Sequence, residues 1–204
     1  MTRIFDSHIH SEFSHDSTAK ISDICLFAKM RGASGITVTD HCDMHKISSL
    51  SDMEHIKNSV KSTHGDFEIK VMSGMELGDG FTNIELSKEA ARSEDFDFIL
   101  CSCHAFATMR TVTDKFQRGD FNFFKNADDE ILSVFLTRYY DNLVFSAEKL
   151  DYDSLAHITF PFRYINGLAE RYKYRPENYM NKIEAVLETA VARQKAIEIN
   201  TSGL

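Results

Sequence analysis

Five times along this chain, a run of apolar or β-branched residues ends in a histidine or a glutamate. Arg3 to His10 ends on His8 and His10, Gly35 to His41 on His41, and Glu68 to Leu77 reaches Glu76. Asp97 to His104 ends on His104, and Ser154 to Ile158 carries His157. Each run reads as a strand. Between them lie helical patterns. Ser17 to Arg31 puts Ile21, Ile24, Cys25 and Ala28 on one face, with Gly32 as a stop. Further helices are predicted near Ser51 to Ser62, from Asn83 to Glu94, and from a cap at Asp128 to about Lys149, with Ile131, Phe135, Tyr139 and Leu143 at every fourth place. Pro176 opens a last helix with Met180, Ile183, Val186, Leu187 and Ala190 as its stripe, and Ala196 to Asn200 is a sixth strand.

Alternation of strand and helix predicts an α/β fold with a parallel sheet or barrel. Such folds collect functional groups at the C-terminal ends of their strands, where this sequence puts its histidines. With 204 residues, 43% of them hydrophobic, one domain spanning 1–204 has enough core to fold alone. A net charge of −8 with no basic block argues against nucleic acid. Four cysteines with no CxxC pair, and no apolar run long enough for a signal or a span, give the expectation of a cytoplasmic protein without membrane partners.

In an extended segment His8 and His10 share a face and can hold one metal ion. His8, His10, His15, His41, Glu76, His104 and His157 make seven candidate ligands, more than one tetrahedral site uses, so two or three divalent ions (zinc, manganese or iron) are expected. A carboxylate such as Glu76 can bridge two ions. Clustered ions acidify water and offset charge on a phosphoryl group, so hydrolysis of a phosphate ester is the best chemical match.

In order and spacing, His8-Ile9-His10, Thr39-Asp40-His41, Gly74-Met75-Glu76, Ser102-Cys103-His104 and Ala156-His157 resemble the successive motifs of the polymerase and histidinol phosphatase (PHP) superfamily. Phe160 to Tyr164 and Ile197 to Leu204 are similar to its histidinol-phosphatase branch. The resemblance implies a distorted (β/α)7 barrel of TIM-like type and a trinuclear site. His8, His10 and Glu76 would hold one ion, Glu76, His104 and His157 a second, and His15 with His41 part of a third. It implies a phosphomonoesterase that hydrolyses L-histidinol phosphate to histidinol and phosphate in histidine biosynthesis. Glu76, His104 and Arg163 would carry the reaction, and Arg163, Asn200 and Ser202 would bind substrate. An impaired or non-catalytic metal-binding module, and a phosphoesterase for another small ester, are the competing readings. A metal-dependent amidohydrolase is disfavoured because no lysine stands at a strand end to bridge its ions.

The chain departs from the family pattern in lacking an Asp-x-His motif after His157. The expectation is a weak third site, three protein ligands at the first, and a barrel missing its last strand, with an open seam that a second copy of the chain could cover. Ala156 stands where glycine is usual and Thr159 where aspartate is usual. Asp40 reads either as a group orienting an imidazole or as a turn residue. Glu198 and Asn200 share a face that lines the pocket or bonds within the barrel. Cys101 and Cys103 read as core, His45, His55 and His64 as surface groups, and Phe121 to Phe124 as a packed insertion.

Overall fold

Gly35 lets the first two strands approach closely, since a Cβ there would stand 2.5 Å from the Phe5 ring and 2.7 Å from the Lys70 carbonyl oxygen. In the computed structural model, which describes residues 4–104, 129–168 and 178–200, β1 (Phe5–Ile9) pairs in parallel with β2 (Gly35–Val38). β2 and then β3 (His41–Asp43) lie along β4 (Lys70–Gly78), with Val38 opposite Ser73 and His41 opposite Glu76. The register is the same on both, so β2 and β3 are one strand position, bridged where the Glu76 N–H donates to the Asp40 carbonyl at 3.0 Å. β5 (Phe98–Ser102), β6 (Ser154–Leu155) and β7 (Ala196–Ile197) follow in parallel. The result is a curled sheet of six strand positions, a half-barrel with β1 and β7 at its edges.

The helices are α1 (Ile21–Met30), α2 (Glu54–Thr63), α3 (Ile84–Ala90), α4 (Asp129–Lys149), α5 (Phe160–Leu168) and α6 (Met180–Ala192). Asn83 caps α3 by accepting from the Leu86 N–H at 3.1 Å. α4 buries Phe135, Tyr139 and Leu143 from the predicted stripe and widens it with Leu136 and Tyr140. These pack with Met75, Leu77 and Leu100 of the sheet into the main core. Each such side chain removed from water contributes about 1.5–3 kcal/mol. A smaller cluster holds α1 on β2 through Ile21, Cys25, Ile36 and Val38. All four cysteines are buried and unbridged, so Cys101 and Cys103 are core groups as the alternation predicts.

The structure changes several expected boundaries: α1 begins at Ile21 rather than Ser17, α3 ends at Ala90 rather than Glu94, and three strands end elsewhere. The second strand runs on to Asp43 rather than stopping at His41. The fifth ends at Leu155, because His157 adopts φ 23° and turns the chain into α5, a helix that the sequence pattern does not announce. The sixth has ladder geometry only over Ala196–Ile197, although the Glu198 N–H still donates to the Leu155 carbonyl at 2.9 Å. Asp128, Phe121 to Phe124, Pro176 and Ser202 lie outside the described residues. Along the β1 edge and α1 runs a groove of about 1210 Å³, lined by Ile4, Ile9, Ile24 and Phe27, with Phe27 63% exposed. No helix among the described residues is long and apolar enough to cross a membrane.

Candidate metal centre

The C-terminal strand ends converge on Glu76, which is fully buried. Its Oε2 lies 3.5 Å from His8 Nε2, 3.2 Å from His10 Nε2 and 2.9 Å from His41 Nδ1. Its Oε1 lies 3.1 Å from His104 Nε2 and 2.8 Å from His157 Nε2. The nitrogens within each pair also face one another, at 3.1 Å for His8 and His10 and at 3.4 Å for His104 and His157. Six of the seven candidate ligands therefore meet around one carboxylate. His15 stands at the margin, exposed, with its ring centroid 4.8 Å from that of His41.

Three further carboxylates set the orientation of the rings. Glu198 Oε1 accepts from His8 Nδ1 at 2.8 Å, Asp16 Oδ2 from His10 Nδ1 at 3.0 Å, and Asp43 Oδ1 from His104 Nδ1 at 2.9 Å. With Nδ1 so engaged, Nε2 of each ring is the nitrogen turned toward Glu76 and the one available to a metal ion once its proton leaves. Gly78 makes room for the last of these, because a Cβ there would collide with Asp43 Oδ1 and come within 2.9 Å of His104 Nδ1. Glu198 also accepts from the His157 N–H at 2.7 Å, tying β7 to the turn after β6.

Sequence reasoning missed Asp16 and Asp43 and left Glu198 open. A signal existed for Asp43, which lies two residues after His41 on a strand and so on the same face. Asp16 could be found only by its place beside His15. Asp40 proves to be a buried anchor: it accepts from the Ser11 N–H at 2.6 Å and from the hydroxyls of Ser11, Ser14 and Ser59 at 2.7, 2.7 and 2.5 Å. It fixes the segment between His10 and His15 and touches no candidate ligand side chain among the described contacts. The surface reading holds for His64 and fails for two others. His45 Nδ1 pairs with buried Asp79 at 2.5 Å, and His55 Nε2 bonds the His41 carbonyl at 3.0 Å. Both rings are half-buried and each has a polar partner.

Electrostatics reflect the crowding. Burial opposes charge on His8, but its bonds to Glu198 and Glu76 prevail and hold its pKa up at about 9. On His104 burial is likewise outweighed, by the charges of Glu76 and Asp43, which raise it to about 10. His157 moves down, because burial there exceeds the help from Glu76. His15 also moves down, through burial and the nearby charges of Lys46 and His41. Glu76 is held well below the usual carboxylate range: burial acts against this, and the charge of His104 with bonds from His10, His104 and His157 overrides it.

The donor set fits divalent ions. Atoms about 2.1 Å from a shared ion stand roughly 3.0–3.4 Å apart at octahedral or tetrahedral angles. The separations in the His8, His10, Glu76 group and in the Glu76, His104, His157 group fall close to that range. Glu76 Oε2 and His41 Nδ1 are both buried and, although 2.9 Å apart, are not aligned as a hydrogen bond. A buried oxygen and a buried nitrogen brought together without an aligned hydrogen bond offer two donors to a cation. A third group, His10, Asp16 and His41, lies beside the first, with His15 next to His41 at its margin.

A parallel half-barrel with imidazoles and carboxylates gathered at its strand ends defines an α/β protein with side-chain clusters that could hold metal ions. The sequence pattern of the PHP domain matches residues 6–202, so the chain belongs to the PHP domain family. It is 28% identical over 202 residues to a probable histidinol-phosphatase of Clostridium acetobutylicum, covering 98% of this chain and 74% of that protein. It is 27% identical over 202 residues to a probable histidinol-phosphatase of Thermotoga maritima, covering 98% and 71%. Its fold is similar, with a TM-score of 0.70 at 22% identity, to the crystal structure of histidinol phosphate phosphatase from Lactococcus lactis subsp. lactis Il1403 in complex with zinc, L-histidinol and phosphate, over 97% of this chain and 73% of that one.

Proposed function

We propose that the chain is a metal-dependent phosphomonoesterase whose substrate is L-histidinol phosphate. The observation that carries this reading is the division of Glu76, with Oε2 facing His8 and His10 and Oε1 facing His104 and His157. These five residues would hold two ions, and Asp16 with His41 a third. Divalent ions so held supply positive charge against phosphoryl oxygens and acidify water. The named functions of the relatives supply the substrate.

The chain's own groups have separate tasks. Glu198, Asp16 and Asp43 engage Nδ1 of His8, His10 and His104, which turns Nε2 of each ring toward the place an ion would take. Phe160 packs against His104 and His157, at ring-centroid distances of 5.4 and 5.0 Å, and excludes water from that side. Arg163, exposed one turn further along α5, stands over the Phe160 ring at 5.7 Å and donates to Asn200 Oδ1 at 3.4 Å. Asn200 in turn donates to Glu198 at 3.1 Å, so the guanidinium is linked to the ligand-orienting carboxylate. Its planar donor fork suits two oxygens of a substrate phosphate.

The test is phosphate release from L-histidinol phosphate by the chain loaded in turn with Mn²⁺, Zn²⁺ and Fe²⁺, beside other small phosphomonoesters and with His104→Ala as control. Preferential release that disappears in the variant is expected. Release that persists in His104→Ala would remove the site assignment, and equal turnover of unrelated esters would remove the substrate.

A further inference from the structure

A second polar cavity lies at the opposite end of the strands from the histidine cluster. Its volume is about 410 Å³, and it opens beside Ile99 at the start of β5 and Asp153 just before β6. Lys88, Arg92, Lys149 and Arg193 line it. Its two carboxylates are already engaged: Asp151 with Lys195 Nζ at 2.9 Å, and Asp153 as acceptor of the Ile99 N–H at 2.8 Å. Lys88 is paired with Glu85 at 2.9 Å. The side chains of Arg92 and Lys149 have no hydrogen-bond or ion-pair partner among the described residues.

Two buried donors add to this excess of positive charge. Arg193 spends its terminal nitrogens on the carbonyls of Glu148 and Leu150, the latter at 2.8 Å, and so covers the negative end of α4 that would repel an anion. Its Nε remains buried without a partner, as does the hydroxyl of Tyr152, which also lines the cavity and is 2% exposed. Buried donors left unbonded are rare because their desolvation goes uncompensated. The local field is positive enough that Asp151 is held below its usual range, by its bond to Lys195 first and then, against some burial, by the charges of Lys195, Arg193 and Arg92.

We propose that this cavity binds a small multivalent oxyanion of the phosphate class, held by Arg92 and Lys149 and by the free donors of Arg193 and Tyr152. These four residues line the cavity, Asp151 is neutralised by Lys195, and Asp153 is occupied by a backbone N–H. The site is separate from the metal centre and does not depend on the reading of that centre.

The probe is inorganic phosphate, titrated into the isotopically labelled, metal-loaded chain and followed through backbone amide shifts. Saturable shifts at Arg92, Lys149 and Tyr152 are expected, distinct from any at the strand ends near His8 and His104. In the double variant Arg92→Ser with Lys149→Ser, both exposed positions, affinity at those amides falls about tenfold or more, while phosphate release at the metal centre is unchanged. Tyr152→Phe, which removes only the buried hydroxyl, also weakens binding. No saturable shift at these amides, or parent-like affinity in the double variant, overturns the proposal. Loss of phosphatase activity with anion binding intact would count against the metal-centre reading alone.

Discussion

Glu198 Oε1 stands 2.8 Å from His8 Nδ1, joining residues 190 positions apart at the two edges of the half-barrel. The contact fixes which nitrogen of His8 faces Glu76, so a residue near the end of the chain governs a ligand near its start. Replacing Glu198 by Gln keeps the shape and removes the charge that favours a protonated Nδ1. The expected result is a 10- to 100-fold loss of affinity, an order-of-magnitude figure, for the ion at His8, His10 and Glu76. Calorimetric titration with Zn²⁺ measures it; unchanged affinity would show that Glu198 only braces the backbone at His157.

Asp40 accepts from one N–H and three hydroxyls in a fully buried setting. Asp40→Ala strands all four donors, and a loss of about 3–5 kcal/mol is expected from urea unfolding. A loss under 1 kcal/mol, on the scale of an ordinary surface change, would mean that the segment carrying Ser11 and Ser14 is held by something else.

Arg163 is exposed and lies outside the ligand cluster. Arg163→Ala is expected to leave ion content intact and to raise KM for the phosphate ester by about 10- to 100-fold, the loss of a charge-assisted pair. Steady-state kinetics with metal analysis on the same sample separates the two. Unchanged KM would place the phosphate elsewhere.

In the ion-free chain, bonds to carboxylates raise the pKa of His8 to about 9 and of His104 to about 10, from an ordinary 6.5. The folded chain then holds more protons than the unfolded chain above pH 6.5, so stability falls as pH rises from there through 9 to 10. Ions displace those protons, and the loaded chain should lack the fall. Unfolding midpoints at pH 6.5 and 10, with and without chelator, check this. Parallel curves would contradict it.

Much of the fold was legible because strand ends and candidate ligands coincide in this sequence. A histidine closing a β-branched run marks both an element and a candidate site, as at His104, whereas at His41 the strand runs on to Asp43. The turn at His157 was not legible, since it depends on a left-handed backbone at a non-glycine residue, and α5 follows from that turn. Candidate ligands leave a clearer trace in the sequence than the groups bonded to them. His8 and His10 reveal themselves by spacing, whereas Asp16, Asp43 and Glu198 act across the fold, and their pairing with particular rings exists only after the strands are assembled. His45 and His55 show the same limit: half-burial beside a polar partner leaves no periodic trace.

The central claim is that Glu76 is shared by two ions, one on each oxygen. Crystals of the chain grown with Zn²⁺ and measured at the zinc absorption edge test it most directly. The account predicts two anomalous peaks flanking the Glu76 carboxylate, one among His8, His10 and Oε2 and one among His104, His157 and Oε1, both lost in Glu76→Ala. A single peak away from Glu76, or peaks that survive the substitution, would contradict it.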